Sequence, residues 1–539
     1  MIRIFSQRTW RTITLLTCAV CIAFPAGAQT VVLRGRVVDG ASGQPLAKAR
    51  VYANAAGVPP VVTGGARRIL GALSDGEGRF AIGNVPPGRY RVSAERPGFT
   101  APPSAGWATV TVAANAEPDE IELSLLPGGV IAGRVTAEDG EPAIGASVHA
   151  LRINWNRAQR ALIPAATTQV NDLGEYRLFG LAPGRYYLHV TPTRAVFQRV
   201  TGSVVEVLPN SYFPGVLTLA EAMPLKVTPG IQLLGMDFKL RVTPTVSVRG
   251  RVMLPGGEAP PRTSLSLVPR GADANIAFIN DRPIAVLDSA GNFLFNGVLP
   301  GSYSLVLSAQ GMPGRYSLRY PLEVGNSDVE GIEATLSLAA PLTGRVHMDG
   351  DPAFSGGALR VVLFPRAGTN AVPAVPVRPD LSFEFAGVPI GEYLVEVTGL
   401  PDGSYLRGVL FGGQDVTAGF SYGGSASPFT VSLSAKAAQV EGTVQDEQRP
   451  AAAFVVLVPE GERRSDPRYY FTTSAGDDGR FRFRSVPPGD YRVFAWEGLE
   501  SGLWFDRDFL ATVESRAPRV TVRELGRENV TVPLLPASY

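Results

Sequence analysis

The sequence predicts an all-β protein: five tandem antiparallel seven-stranded Greek-key β-sandwich domains in an extended string. Three observations carry this expectation. One fifteen-residue phrase recurs five times, apolar and polar residues alternate within it, and 60 glycines and 45 prolines punctuate the 539 residues. The hydrophobic share of 45% is ordinary for packed domains, and the length is too great for one core.

The recurring phrase reads "FAIGNVPPGRYRVSA" from Phe80, "YRLFGLAPGRYYLHV" from Tyr176, "FLFNGVLPGSYSLVL" from Phe293, "FEFAGVPIGEYLVEV" from Phe383 and "FRFRSVPPGDYRVFA" from Phe481. In every copy a glycine follows the first aromatic by eight residues (Gly88, Gly184, Gly301, Gly391, Gly489). A tyrosine follows that glycine by two (Tyr90, Tyr186, Tyr303, Tyr393, Tyr491). Upstream lies a second landmark, G-[RT]-V at Gly35, Gly133, Gly250, Gly344 and Gly442, with spacings of 98, 117, 94 and 98 residues. The expected division is a signal peptide at 1–28, then repeats at 29–127, 128–244 (with insertions), 245–340, 341–437 (divergent) and 438–539.

Within a unit the apolar period is two. In "GRYRVSA" Tyr90, Val92 and Ala94 share one face and Arg89, Arg91 and Ser93 the other, the pattern of a strand with one wet face. Unit one reads as strand "LRGRVVD", turn "GASGQP", strand "ARVYANA", a loop to Leu70, strand "LGALSD", turn "DGEG" and strand "RFAIGNV". The "PPG" corner follows, then "YRVSAE", "ATVTVAA" and "EIELSLL". Proline presets the first dihedral of that corner and glycine accepts dihedrals that side chains resist. The tyrosine after it buries its ring and returns a hydrogen bond across the bend, a tyrosine corner. Gly88, Tyr90 and their four equivalents are therefore assigned a structural role. No stretch longer than about ten residues keeps a helical period.

The first 28 residues stand apart. Arg3, Arg8 and Arg11 precede an apolar run from Ile13 to Phe24, and "PAGA" offers Ala26-x-Ala28 for cleavage, the layout of a secretory signal peptide. Both cysteines, Cys18 and Cys21, lie inside it, which argues against redox or metal chemistry from their C-x-x-C spacing. Removing three arginines and no acid takes the formal charge from +2 to −1, so no general attraction to nucleic acid follows. After the signal no apolar run reaches the roughly 18 residues of a spanning helix. The expectation is an exported chain, periplasmic or extracellular, with no transmembrane segment.

The segments "GRVVDGASGQPLAKARVYA" and "GALSDGEGRFAIGNVPPGRYRVSA", with their equivalents, resemble carboxypeptidase regulatory-like repeats, the prealbumin-like sandwich units. The resemblance runs over 31–539, strongest in units one, two and five. Unit four departs most, with Ile390 where proline precedes the glycine and "PDLS" for the D-x-x-G turn. Long chains of such repeats look like exported bacterial proteins, and the family groups with starch-binding-like sandwiches. The resemblance implies a fold; activity does not follow from fold. Isopeptide cross-links of related adhesin repeats need a lysine in each unit, and units three and five have none.

The sequence holds no H-E-x-x-H, G-x-S-x-G or phosphate-binding G-x-x-x-x-G-K-[ST], so no catalytic residue, metal or cofactor is assigned. His149 and His189 read as solvated strand histidines of unit two rather than a metal pair. Turn carboxylates (Asp75, Glu77, Asp172, Glu175, Asp288, Asp477, Asp478) offer one or two acids per turn where calcium needs six or more oxygens. Trp107 and Trp496 read as completing small cores. The candidate binding aromatics are Trp155 in the inserted loop "INWNRAQR", Tyr469 and Tyr470 in "DPRYYF", and Trp504 in "GLWFDRDF". The functional expectation is a non-catalytic exported scaffold binding carbohydrate or cell-envelope components. Its alternative is an accessory subunit that positions an exported hydrolase or outer-membrane transporter.

Overall fold

The computed structural model describes residues 31–536 except 56–69, 103–107, 114–117, 157–158, 194–197, 202–203, 262, 271–281, 308–315, 351–353, 355, 367–371 and 425–426. The signal-peptide assignment, with Cys18 and Cys21, and Trp107 lie outside the described residues.

Alternation becomes burial in unit one. Arg79–Val85 puts Phe80, Ile82 and Val85 inside, and Gly88–Glu95 does the same with Tyr90, Val92 and Ala94. Two sheets result. One orders Arg79–Val85, Val31–Asp39, Ile121–Pro127 and the short Phe99–Thr100; the other orders Leu70–Leu73, Arg50–Ala55, Gly88–Glu95 and Ala108–Val112. Their inner faces share one core, from Leu33 and Val37 to Leu123 and Leu125. Equivalent cores lie within 131–240, 246–336, 342–433 and 438–532. The protein is all-β and built of sandwiches.

The sandwiches are antiparallel except along one seam. In every unit the first strand pairs with the last in parallel, as Gly35 does with Ile121 and Gly442 with Val530. A parallel neighbour needs a long crossover, and the whole unit supplies it. In unit five the last strand, Arg527–Leu535, also reaches Gly489–Trp496 of the other sheet, so the two layers join.

The two sequence landmarks turn out to be cross-strand partners. Gly35 faces Phe80, Gly133 faces Tyr176, Gly250 faces Phe293, Gly344 faces Phe383 and Gly442 faces Phe481. At Gly35 an added Cβ would stand 2.1 Å from the Ile121 carbonyl oxygen and 2.7 Å from Cζ of Phe80. The facing ring crowds Gly250, Gly344 and Gly442 in the same way, whereas at Gly133 the added Cβ would meet the Met236 carbonyl at 2.3 Å instead. In four of the five units the aromatic ring occupies space that only a glycine leaves open, which explains why the two landmarks travel together.

The corner follows one geometry throughout. The hydroxyls of Tyr90, Tyr186, Tyr303, Tyr393 and Tyr491 donate to the carbonyls of Pro86, Ala182, Leu299, Pro389 and Pro487 at 3.0, 2.7, 2.9, 2.8 and 2.9 Å. At the D-x-x-G turn the Asp75 carboxylate accepts from the amides of Glu77 and Arg79, and Asp288 from those of Ala290 and Asn292. In unit two the acceptor is Asn171, one residue before Asp172, while Glu175 pairs with Arg134 at 2.8 Å. These side chains close their own turns.

The string is not extended throughout. Units two and five, far apart in sequence, meet directly: Arg152 pairs with Glu500, and the rings of Trp155 and Phe505 stand 6.1 Å apart. The joints therefore turn the chain back rather than straightening it. Neighbours also interlock. A hairpin of unit two, Gln198–Thr201 with Val204–Val207, adds its second strand to the first strand of unit three. Arg468 of unit five donates to the Val395 carbonyl of unit four at 2.8 Å and also to that of Thr417.

Candidate binding cleft between the second and fifth units

Unit two contributes a long hairpin, Ser147–Asn156 with Gln159–Gln169, continued in the sheet by Gly184–Thr191. Ile153–Asn156 and Gln159–Arg160 of "INWNRAQR" are therefore paired strand rather than the expected loop, with Trp155 opposite Arg160. The guanidinium of Arg160 lies 5.9 Å from the indole.

One of the two histidines is also corrected. His149 and His189 are direct cross-strand partners with rings 6.0 Å apart, but His189 is 0% exposed. The outer face of this sheet is covered by the returning segment around Tyr212, whose ring meets His189 edge-on at 4.8 Å. A strand face expected to be wet is thus a second, smaller core. Among the described residues no three His, Cys, Asp or Glu side chains gather as a metal site requires.

Unit five contributes the segment after Trp496. Asp506 caps the helix Arg507–Val513 by accepting from the amides of Asp508 and Phe509, and turns of 3₁₀ helix flank it. At seven residues this helix is too short to show a period in the sequence. Its Leu510 is buried on an outer core with Val456, Phe494 and Trp496, and the Trp496 indole stacks on Phe494 at 5.3 Å.

The hairpin and the helical segment lock together. Gly502 has φ +83°, and an added Cβ would stand 2.4 Å from Cβ of Trp155. This glycine serves both the left-handed turn and the close approach. Arg152 and Glu500 have side chains 19% and 16% exposed, and Arg152 also lies 5.4 Å from the Tyr186 ring. Burial raises the Tyr186 pKa above its ordinary value.

Of the four candidate aromatics, three converge. Trp155 meets Phe505; Phe505 meets Tyr470 at 4.8 Å and Trp504 at 5.7 Å; Trp504 meets Phe454 at 5.3 Å. Tyr470 is held by a 2.8 Å hydrogen bond from its hydroxyl to the Arg464 carbonyl, and burial pushes its pKa up to about 12. The fourth, Tyr469, is 7% exposed in the unit-five core with Arg463 over its ring, so it offers no surface to a ligand.

Between the two units lies a cleft of about 510 Å³. Its unit-two wall carries Trp155, Tyr187, Arg185 and Lys226; its unit-five wall carries Glu500, Asp506 and Phe509. Tyr470 and Trp504 stand behind this lining and support it through Phe505. Arg185 and Lys226 are opposite each other across neighbouring strands, and like charges so placed repel. Among the described residues neither forms an ion pair, while Glu500 is engaged by Arg152 and Asp506 by the helix amides. Alternation alone marks Arg185 and Tyr187 as outward-facing; nothing in the sequence marks Phe505, Phe509 or Lys226 as their neighbours.

Residues 32–124 match the family of the carboxypeptidase regulatory-like domain. No curated protein matches the chain. Among solved structures, the TIE protein of Bacillus anthracis is 11% identical, covering 75% of this chain and 73% of its own, with a TM-score of 0.17. A streptococcal ancillary pilin is 12% identical over 53% of this chain and 98% of its own, with a TM-score of 0.20. The minor pilin GBS52 of Streptococcus agalactiae is 12% identical over 40% and 97%, with a TM-score of 0.22.

Proposed function

We propose that the chain is an exported, non-catalytic scaffold that binds carbohydrate or a cell-envelope component in the cleft between units two and five. The observation that carries this reading is the cleft lining. Flat rings from Trp155, Tyr187 and Phe509 share about 510 Å³ with Arg185 and Lys226, which form no ion pair among the described residues, and with Glu500 and Asp506 on the facing wall. Rings of this kind pack on the apolar faces of sugars, and the charged groups suit hydroxyls or an acid substituent. The recurring residues are meanwhile used in building the units: the glycine sits where a Cβ would clash, the tyrosine closes the corner, and an acid or Asn171 closes its own turn. Export rests on the amino-terminal segment and the division into units on the repeat spacing.

The test is a glycan array and an affinity capture from the native envelope fraction, both with the mature full chain. Binding that falls at least tenfold in Tyr187→Ala and Trp155→Ala supports the reading. Clean negatives on every glycan and envelope fraction contradict it. Capture of a single exported hydrolase or transporter subunit selects the accessory-subunit role instead.

A further inference from the structure

A second surface of unit five is built differently from its counterparts. The strand Arg480–Val486 points Phe481, Phe483 and Val486 into the core and Arg480, Arg482 and Arg484 outward. The same three positions hold Arg79, Ala81 and Gly83 in unit one, Glu175, Arg177 and Phe179 in unit two, Asn292, Leu294 and Asn296 in unit three, and Ser382, Glu384 and Ala386 in unit four. The fold therefore does not ask for arginine there; unit five alone supplies three.

Register extends the pattern across the sheet. Arg480 faces Thr443 and Arg482 faces Glu441 on the first strand; Glu441 and Gln439 face Asn529 and Arg527 on the last. Four arginines thus share this face with Glu441, which pairs with Arg482 at 2.8 Å, while Asp478 lies 3.9 Å from Arg480 and Asp402 lines the far end of the groove. Arg484 and Arg527 form no ion pair among the described residues. Two adjoining cavities of about 660 and 310 Å³ follow this face, sharing Glu441, Arg482 and Arg484, and run on to Asp402 and Gly403 at the joint with unit four.

We propose that this groove binds an acidic polysaccharide, with successive carboxylate or sulfate groups on Arg480, Arg482, Arg484 and Arg527. Alternate residues of a strand stand roughly 6.6 Å apart, so the strand presents its cations at a repeat suited to a linear polymer. Each planar guanidinium donates a two-pronged hydrogen bond to a carboxylate or sulfate. Thr443, Thr473, Ser474 and Asn529 complete the lining with hydroxyl and amide groups matched to sugar hydroxyls. The lining's aromatic, Phe481, is 5% exposed and turned inward, so the groove offers a nucleobase no ring to stack on. The groove and the cleft share no residue, and their occupants are tested separately.

Affinity electrophoresis of the mature full chain through gels containing polygalacturonate, with dextran as the neutral control and poly(dT) in solution as competitor, tests the proposal. Expected are retardation by polygalacturonate, none by dextran, weakening as salt is raised, and no displacement by equimolar poly(dT). Arg484→Ser with Arg527→Ser reduces affinity at least tenfold and leaves the thermal unfolding midpoint in place; Arg484→Gln alone gives an intermediate loss. Arg177→Ser, at the position in unit two that Arg482 holds in unit five, leaves polygalacturonate binding unchanged. Absent retardation, full binding by the double variant, or displacement by equimolar poly(dT) overturns the proposal.

Discussion

The hydroxyl of Tyr491 donates to the Pro487 carbonyl at 2.9 Å inside a fully buried corner, and burial holds its pKa above the ordinary range. Tyr491→Phe removes that bond and leaves the carbonyl unpartnered. It should lower the stability of unit five by about 1 kcal/mol, read from its chemical unfolding midpoint. Gly442→Ala acts by crowding instead, because the new methyl would stand 2.1 Å from the Val530 carbonyl oxygen. The expected loss is about 1–3 kcal/mol, and an unchanged midpoint would remove the steric account of the landmark. Asp288 shows the turn acids at work. Hydrogen bonds from Asn292 hold its pKa below the ordinary 3.8. A depressed folded value contributes stability that is present above the unfolded value and lost as pH falls through the folded one. Acid should therefore destabilise unit three below about pH 4, and Asp288→Asn should flatten that dependence in unfolding midpoints taken between about pH 2 and 6.

Strands, corners and turns were legible because each leaves a local mark: alternation, Gly-x-Tyr spacing, or an acid before a glycine. The pairing of Gly35 with Phe80 was half legible, since both landmarks recur but only register shows that they touch. Tyr469 and Tyr470 show where local marks fail. They are adjacent and chemically equal, yet the 3₁₀ turn Pro467–Tyr469 sends one ring into the core and the other toward Phe505. His189 failed for a related reason, because its outward face is covered by a segment more than twenty residues later in the chain. The contact of Trp155 with Phe505 was invisible, as two residues so far apart leave no common period. Elements at that contact are held by space as much as by charge. Gly502→Val fills the place of Trp155, so it should detach the hairpin from the helical segment without unfolding either unit. Faster limited proteolysis of the 497–518 segment, with an unchanged circular dichroism spectrum, is the expected outcome.

Sandwich cores strung along one chain leave its shape to be decided at the joints. Arg468, 12% exposed at its side chain and bonded to unit-four carbonyls, fixes one of them, and the strand added by unit two to unit three fixes another. Together such joints bring units two and five into contact and form the cleft. An extended string would present the same loops at intervals but would have no cleft, so the binding proposal depends on this closure. Residues 29–539 contain no cysteine, which permits single labels to be placed cleanly. Spin labels at Arg160→Cys and Arg507→Cys, two exposed positions flanking the contact, read the closure directly by pulsed dipolar spectroscopy. The closed arrangement predicts one narrow, short distance that broadens and lengthens in Gly502→Val; a distance on the order of 100 Å, three domain diameters, would contradict it.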